Sequence, residues 1–133
     1  MVTITAEYAM RAMIALAQVG GETSVLGRDL AVRSGVPANY LAKILLVLNR
    51  AGLVTASRGA GGGYYLNRRA DEIRLVEIVD VFDSNGAHPR CLLDVTKECA
   101  DSTPCTAHEQ WRSVRLTYVA FLNETSLKDI AGI

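Results

Sequence analysis

With 133 residues, half of them hydrophobic, the chain has the size of one domain with a core of its own, and no uninterrupted apolar run approaches the roughly 18 to 20 residues that a membrane span needs. The formal net charge is zero, yet residues 1–70 carry eight Lys and Arg against three acids and residues 71–133 carry six against eleven, so +5 is balanced by −5. Evenly spread neutrality would argue against a nucleic-acid partner, whereas a basic half joined to an acidic half does not. Three cysteines are an odd number, and the early apolar run Ala9 to Val19 is broken by Arg11 and has no basic leader. The expectation is therefore a reducing cytoplasm, not a secreted disulfide scaffold.

Thr5 reads as the N-cap of a first helix over residues 5–18, where Tyr8, Ala9, Ala12, Met13, Leu16 and Ala17 recur at helical spacing and Gly20-Gly21 makes the stop. Leu26 to Arg33 reads as a short second helix with Leu26, Leu30 and Ala31 inward and Ser34-Gly35 at its end. A third helix over Ala38 to Ala51 places Leu41, Ile44, Leu45 and Leu48 on one face and Asn39, Lys43 and Arg50 on the other, with Leu46 on the polar side. Pro37 is tolerated at its start, where a missing N–H costs nothing. Two helices joined by a glycine-containing turn, the second with basic groups outward, form either a helix-turn-helix or an ordinary helical hairpin.

The next segment tips the balance. Leu53 to Ser57 and Gly63 to Leu66 are β-prone runs around Arg58-Gly59-Ala60-Gly61-Gly62, which makes a hairpin with a glycine tip. Arg58 at its base and Arg68-Arg69 beyond it supply charge suited to phosphates. A basic hairpin directly after a helix-turn-helix is the wing of a winged helix. A nucleotide-binding loop does not fit, because such loops run into a helix and Gly61-Gly62-Gly63 runs into a strand.

Arg74 to Val81 reads as a further helix, with Leu75, Ile78, Val79 and Phe82 at helical spacing, packed on the first helix and ended by the turn Asp83-Ser84-Asn85-Gly86. All three cysteines, Cys91, Cys99 and Cys105, then fall in a polar loop that closes on His108. Packed cysteines are usually spread through apolar periodicity, so this gathering indicates a metal or iron-sulfur cradle. His88 reads as an exposed loop residue. A long helix over Thr106 to Asn123 carries the stripe Trp111, Val114, Tyr118, Phe121 and Leu122, and Ser126 to Ile130 forms a capped final turn. A lone helix beyond a completed small domain has nothing of its own to bury against, which makes a homodimer through it the economical reading. The expected architecture is mainly α with a small β-hairpin wing. It comprises a winged helix-turn-helix DNA-binding domain over 1–82, a cysteine loop for cluster binding over 83–105, and a dimerisation helix with a C-terminal turn over 106–133.

Ala6-Glu7-Tyr8-Ala9-Met10-Arg11, Val36-Pro37-Ala38-Asn39-Tyr40-Leu41, and Ala51-Gly52-Leu53-Val54 followed by Arg58-Gly59-Ala60-Gly61-Gly62-Gly63-Tyr64 resemble the Rrf-type winged-helix transcription regulators represented by IscR, NsrR and RirA, along nearly the whole chain. The resemblance implies a dimer on palindromic double-stranded operator DNA, with each recognition helix in a major groove and each wing at a minor groove. Its DNA-facing positions fall on Asn39, Tyr40 and Lys43 in the third helix and on Arg58, Gly59 and Gly61 around the wing, with Arg28 in the second helix joining the set.

Three cysteines need a fourth partner to hold a cluster, whether 2Fe-2S or 4Fe-4S. Gaps of seven and five residues between them resemble the RirA and NsrR side of the family, whereas a histidine three positions after the last cysteine resembles the IscR pattern. His108 is the first choice, because the opening turn of a helix sets it near Cys105. Glu7 of the partner subunit is the alternative the resemblance offers. The function expected is a repressor whose DNA affinity is switched by an iron-sulfur cluster sensing iron, nitric oxide or redox state. The competing readings are a cluster-free thiol or zinc regulator and, further off, an iron-sulfur oxidoreductase, for which no Cys-x-x-Cys pair or nucleophile with a base speaks.

Overall fold

Small side chains recur through the first helix, α1 (Ile4–Gln18), where Ala6, Ala9, Ala12, Ala15 and Ala17 are buried together with Met13 and Leu16. Alanines hold neighbouring helices close, and α1 is packed by four of them, α2 (Gly27–Ser34), α3 (Ala38–Arg50), α4 (Leu75–Phe82) and α6 (Leu127–Ala131). The computed structural model describes residues 2–59, 62–83, 89–94 and 96–133. The cap of α1 is Thr3, not Thr5: Thr3 is extended and its Oγ1 accepts the Ala6 N–H at 3.2 Å, so the helix starts early enough to place Thr5 inside its first turn.

Between α2 and α3 the chain bends by 107°, within the range of a helix-turn-helix. Ser34 fixes this turn. Its buried hydroxyl donates to the Leu30 carbonyl at 2.6 Å and accepts the Val36 N–H at 3.3 Å, and Gly35 follows at φ +69°, a left-handed cap that suits glycine. Leu26 does not join the inward face as expected. It is the residue before α2 and is exposed, while Leu30, Val25 and Val36 fill the core at that end. In α3 the buried residues are Leu41, Ile44, Leu45 and Leu48, and Leu46 is exposed, as the periodicity predicts.

Strands β1 (Val54–Ser57) and β2 (Gly63–Leu66) pair antiparallel, with Val54 opposite Leu66 and Ser57 opposite Gly63. Val25 adds a rung on the other edge of β2, where its N–H and carbonyl exchange bonds with Tyr64 at 2.9 and 2.8 Å. The wing is thereby stitched to the helix-turn-helix as well as to itself. Fold and order, with a hairpin following two crossed helices, make a winged helix. Gly61 at the wing tip lies outside the described residues, as do His88 and residues 84–86 of the turn expected after α4.

Arg68 and Arg69, read from sequence as phosphate-seeking, have structural partners instead. Arg68 donates to Glu77 at 2.6 and 3.3 Å and to the Glu72 carbonyl at 2.6 Å, and Arg69 pairs with Asp71 at 2.7 Å. Sequence distance hides the first pair, because only the fold brings the base of the wing against the start of α4. Glu77 also accepts the Arg74 N–H at 2.8 Å, closing the first turn of α4.

The long helix α5 (His108–Glu124) buries only His108 and Leu122, both below 6 % exposed. Leu122 therefore leaves the expected stripe and joins the core, while Val114 and Phe121 remain about half exposed and Trp111 and Tyr118 are intermediate. At its C-terminal end α5 is tied to α4 by Leu75 N–H to the Thr125 carbonyl at 3.0 Å and by Arg74 Nη1 to the Glu124 carbonyl at 3.0 Å. Ser126 and Asp129 cap α6 reciprocally, and Gln18 of α1 donates to the Ala131 carbonyl at 3.0 Å.

Two outcomes follow from these contacts. A Cβ on Gly63 would overlap the Val25 carbonyl oxygen, which is backbone and cannot give way. Gly63→Ala is therefore expected to lower stability by about 2 kcal/mol in urea denaturation, as overpacking does. Glu77 is held below the usual carboxylate range, chiefly by its hydrogen bond from Arg68. Because its folded pKa lies below the unfolded one, its contribution is complete above the ordinary carboxylate range and is lost as pH falls through the folded value. Glu77→Gln should flatten that acid limb of a stability-against-pH curve, and an unchanged limb would refute the assignment.

Candidate nucleic-acid interface and cysteine centre

On α3, Asn39 and Lys43 stand one turn apart on the side opposite the buried leucines, and both are exposed. Tyr40 is 54 % exposed and its ring lies 5.9 Å from that of Tyr8, tilted by 53°, so α1 steadies it while its outer edge faces solvent. Arg28 on α2 and Arg58 and Gly59 at the wing are exposed as well, and Gly59 takes φ +93°. The structure thus brings every described member of the expected DNA-facing set to the surface on α2, α3 and the wing.

Pairing sorts the basic half. Of its eight cations, Arg11, Arg68 and Arg69 are bound to Glu7, Glu77 and Asp71. The other five, Arg28, Arg33, Lys43, Arg50 and Arg58, are exposed and in no ion pair among the described residues, and all five lie on α2, α3 or the wing. Unpaired cations concentrated on one reading unit are what a phosphate backbone requires. No single helix among the described residues is long and apolar enough to cross a membrane.

The cysteine segment folds back on the first turn of α5 and sorts its four expected ligands into two pairs. Cys91 Sγ stands 3.6 Å from Cys105 Sγ, and Cys99 Sγ stands 3.6 Å from His108 Nδ1. The cysteines are free thiols, since a disulfide needs about 2.05 Å between sulfurs. The Leu93 backbone amide holds the Cys91 thiol below its ordinary value, with Cys105 and the Asp94 amide acting in the same sense against burial and the Asp94 carboxylate. That favours the thiolate, the form that binds metals. Glu7 is occupied within its own helix, where Oε1 accepts from Arg11 at 3.0 and 3.2 Å.

Two contacts that sequence reasoning missed hold this centre. Asp101 Oδ1 lies 2.7 Å from His108 Nε2, and Trp111 Nε1 donates to the Arg90 carbonyl at 2.8 Å. The hydrogen bond from His108 keeps Asp101 below the usual carboxylate range, and Arg112 and Arg115 add to it. Position between two cysteines in a polar loop is a signal for Asp101, but it does not say which atom the carboxylate meets.

The pair distances test the fit to a metal. A tetrahedral ion with bonds of about 2.3 Å to sulfur and about 2.0 Å to nitrogen holds two thiolates about 3.8 Å apart, and a thiolate and an imidazole about 3.5 Å apart. Each pair matches such a bite. Among the described residues no three His, Cys, Asp or Glu side chains converge as ligands of a single ion.

The Rrf2 family, described as "Iron-dependent Transcriptional regulator", matches residues 2–132. A helix-turn-helix transcriptional regulator of Mycobacterium tuberculosis is 38% identical over 129 residues, covering 96% of this chain and 78% of its own. The regulator IscR of Photorhabdus laumondii is 31% identical over 130 residues, covering 98% and 78%. Among solved structures, CymR, the global cysteine regulator of B. subtilis, superposes with a TM-score of 0.81 at 26% identity over 99% of this chain and 96% of that one. The T. potens IscR does so at 0.76 and 28% identity over 99% and 86%.

Trp111→Phe keeps the ring and removes the N–H that holds the Arg90 carbonyl. A hydrogen bond of about 1 kcal/mol corresponds to about a five-fold change in local opening. The neighbouring Cys91 should therefore label about five-fold faster with a thiol reagent, and an equal rate would show that this bond does not hold the loop.

Proposed function

The chain belongs to the Rrf2 family of DNA-binding transcriptional regulators, not to a class of enzymes, and on that premise we propose that it is a cytoplasmic homodimeric repressor whose operator affinity is set by a 2Fe-2S cluster on Cys91, Cys105, Cys99 and His108. The observation that carries the reading is the division of the four ligands into two pairs, each at the bite of one tetrahedral ion. A two-iron cluster takes two protein ligands on each iron, a four-iron cube takes one on each, and a single zinc takes all four on itself. Pairing therefore favours the first over the other two. His108 is preferred to Glu7 of the partner subunit because it already stands beside Cys99, whereas Glu7 is bound to Arg11 within its own chain.

When bound, the cluster supplies a redox-active and chemically labile centre. The chain's own residues do the rest. Cys99 is held to the first turn of α5 through His108, and Arg90 is held through Trp111, so two contacts join the loop to that helix. The exposed side of α5 with Val114 and Phe121 suits a two-fold contact with a second copy, which would orient two α3 helices toward successive major grooves about 34 Å apart. Asn39 and Lys43 are the proposed base-edge donors, Tyr40, Arg28 and Arg58 the proposed phosphate contacts, and Gly59 and Gly61 let the wing backbone approach the minor groove.

A second reading keeps the DNA-binding half and replaces the cluster by a thiol switch. Likeness to a cysteine regulator and the sulfur contact between Cys91 and Cys105 favour it.

Anaerobic purification, a visible spectrum and operator titration with holo and apo protein separate the two. The cluster reading expects iron-dependent absorption and different affinities for the two forms; identical affinities would sink the switch. In the same titrations, Lys43→Ala or Arg58→Ala should weaken binding and reduce the salt slope by about 1 per subunit if the lost contact is to phosphate. A retained slope with altered base preference would instead make Lys43 a base reader.

A further inference from the structure

We infer that Asp101 is the positioning residue of the cysteine centre: its carboxylate fixes the Nε2–H tautomer and the ring orientation of His108, leaving the Nδ1 lone pair aimed at the point shared with Cys99. The inference rests on the proposed cluster reading for its consequence, though not for its geometry.

The geometry is a short relay. His108 opens α5 and is 5 % exposed, so its ring sits in a fixed slot, with Nε2 2.7 Å from Asp101 Oδ1 on one side and Nδ1 3.6 Å from Cys99 Sγ on the other. A carboxylate only accepts hydrogen bonds, so the shared proton belongs to Nε2, and a neutral imidazole then carries its lone pair on Nδ1. Nδ1 is therefore the nitrogen available to a metal. Were the carboxylate on the other side of the ring, the lone pair would face away from the thiol.

Asp101 is itself held. Arg112 stands one turn beyond His108 on the same face of α5, and its Nε lies 3.6 Å from the same Oδ1. The side chain of Asp101 is 74 % exposed, so burial does not fix it; the two α5 groups do. A carboxylate placed behind a ligating histidine orients the ring and raises its basicity, and removing such a partner commonly weakens a metal site by about 10 to 100-fold. The same bond fastens the loop between Cys99 and Cys105 to α5, so ligand orientation and loop attachment share one contact.

The test has two arms that fail separately. In apo protein with ¹⁵N-labelled histidine, at a pH high enough that the imidazole is neutral, the His108 ring should show a hydrogen-bonded Nε2–H and an unprotonated Nδ1. Asp101→Ala should lose the protected Nε2–H signal, whereas Asp101→Asn, which keeps an accepting oxygen, should retain it. In reconstituted protein challenged with EDTA, the visible absorption of Asp101→Ala should decay at least about ten-fold faster than that of wild type, with Asp101→Asn between them. An unchanged ring signal or an unchanged decay rate in Asp101→Ala would overturn the inference. If wild-type protein assembles no cluster under conditions that load iron and sulfide, the cluster reading falls, and the ring signals alone decide whether Asp101 orients His108.

Discussion

The close packing of α1 is the constraint on which the other elements depend. Four helices lean on one rod of fifteen residues, and they can do so because its buried positions are mostly alanine. Helices meeting through larger side chains stand farther apart, and the difference would have to be absorbed at several interfaces at once. The recognition helix α3, the linking helix α4 and the terminal α6 therefore take their positions from the same surface. Tyr8 extends that reference to the DNA-facing side, because it meets Tyr40 directly.

Polar contacts do for the wing what α1 does for the helices. Glu77 holds Arg68 at the foot of β2 and the Arg74 N–H at the start of α4, while Arg74 reaches the Glu124 carbonyl at the end of α5. A helix of seventeen residues is about 25 Å long, and α5 is fastened at both ends, by His108 and Trp111 near the cysteines and by Thr125 and Glu124 near the wing base. A rigid element pinned in this way transmits a displacement at one end to the other. Under the proposed function, the route from ligands to wing needs no further moving part than α5 and the Arg74–Glu77–Arg68 node.

Most of the fold was legible in the sequence because most of it is periodic. The faces of α1, α3 and α4, the two strands and the Ser126 cap follow from apolar spacing and local chemistry. What stayed hidden depends on contacts between segments far apart in sequence. Arg68 reads as a free cation until α4 is brought to it, Leu26 reads as a core residue until Val25 and Val36 take its place, and Leu122 reads as part of an exposed stripe until α5 is laid on α4. In the cysteine centre, the expected ligands were chosen as residue types, but their division into pairs was not legible, since spacing along a loop says nothing of which sulfur meets which. Thr3 in place of Thr5 is a different, local miss: the cap lies two residues earlier than the apolar spacing suggested.

The two proposed ligand pairs are unequal in how they are held. His108 belongs to the first turn of a formed helix and is buried, so the Cys99–His108 half has one rigid member. The Cys91–Cys105 half lies wholly in the loop, where Cys91 is tied by its N–H to the Lys97 carbonyl at 3.1 Å and Cys105 by its carbonyl to the His108 N–H at 3.1 Å. Ordering a loop costs roughly 1 to 2 kcal/mol per residue of backbone entropy, far more than these few bonds return. Under the proposed function, joining the two halves through shared ligation would offset that cost and add to the contacts that hold the loop on α5. Under the proposed function, a centre divided between a helix and a loop is more sensitive to ligand loss than one built on a helix alone, as a sensor at the end of α5 requires.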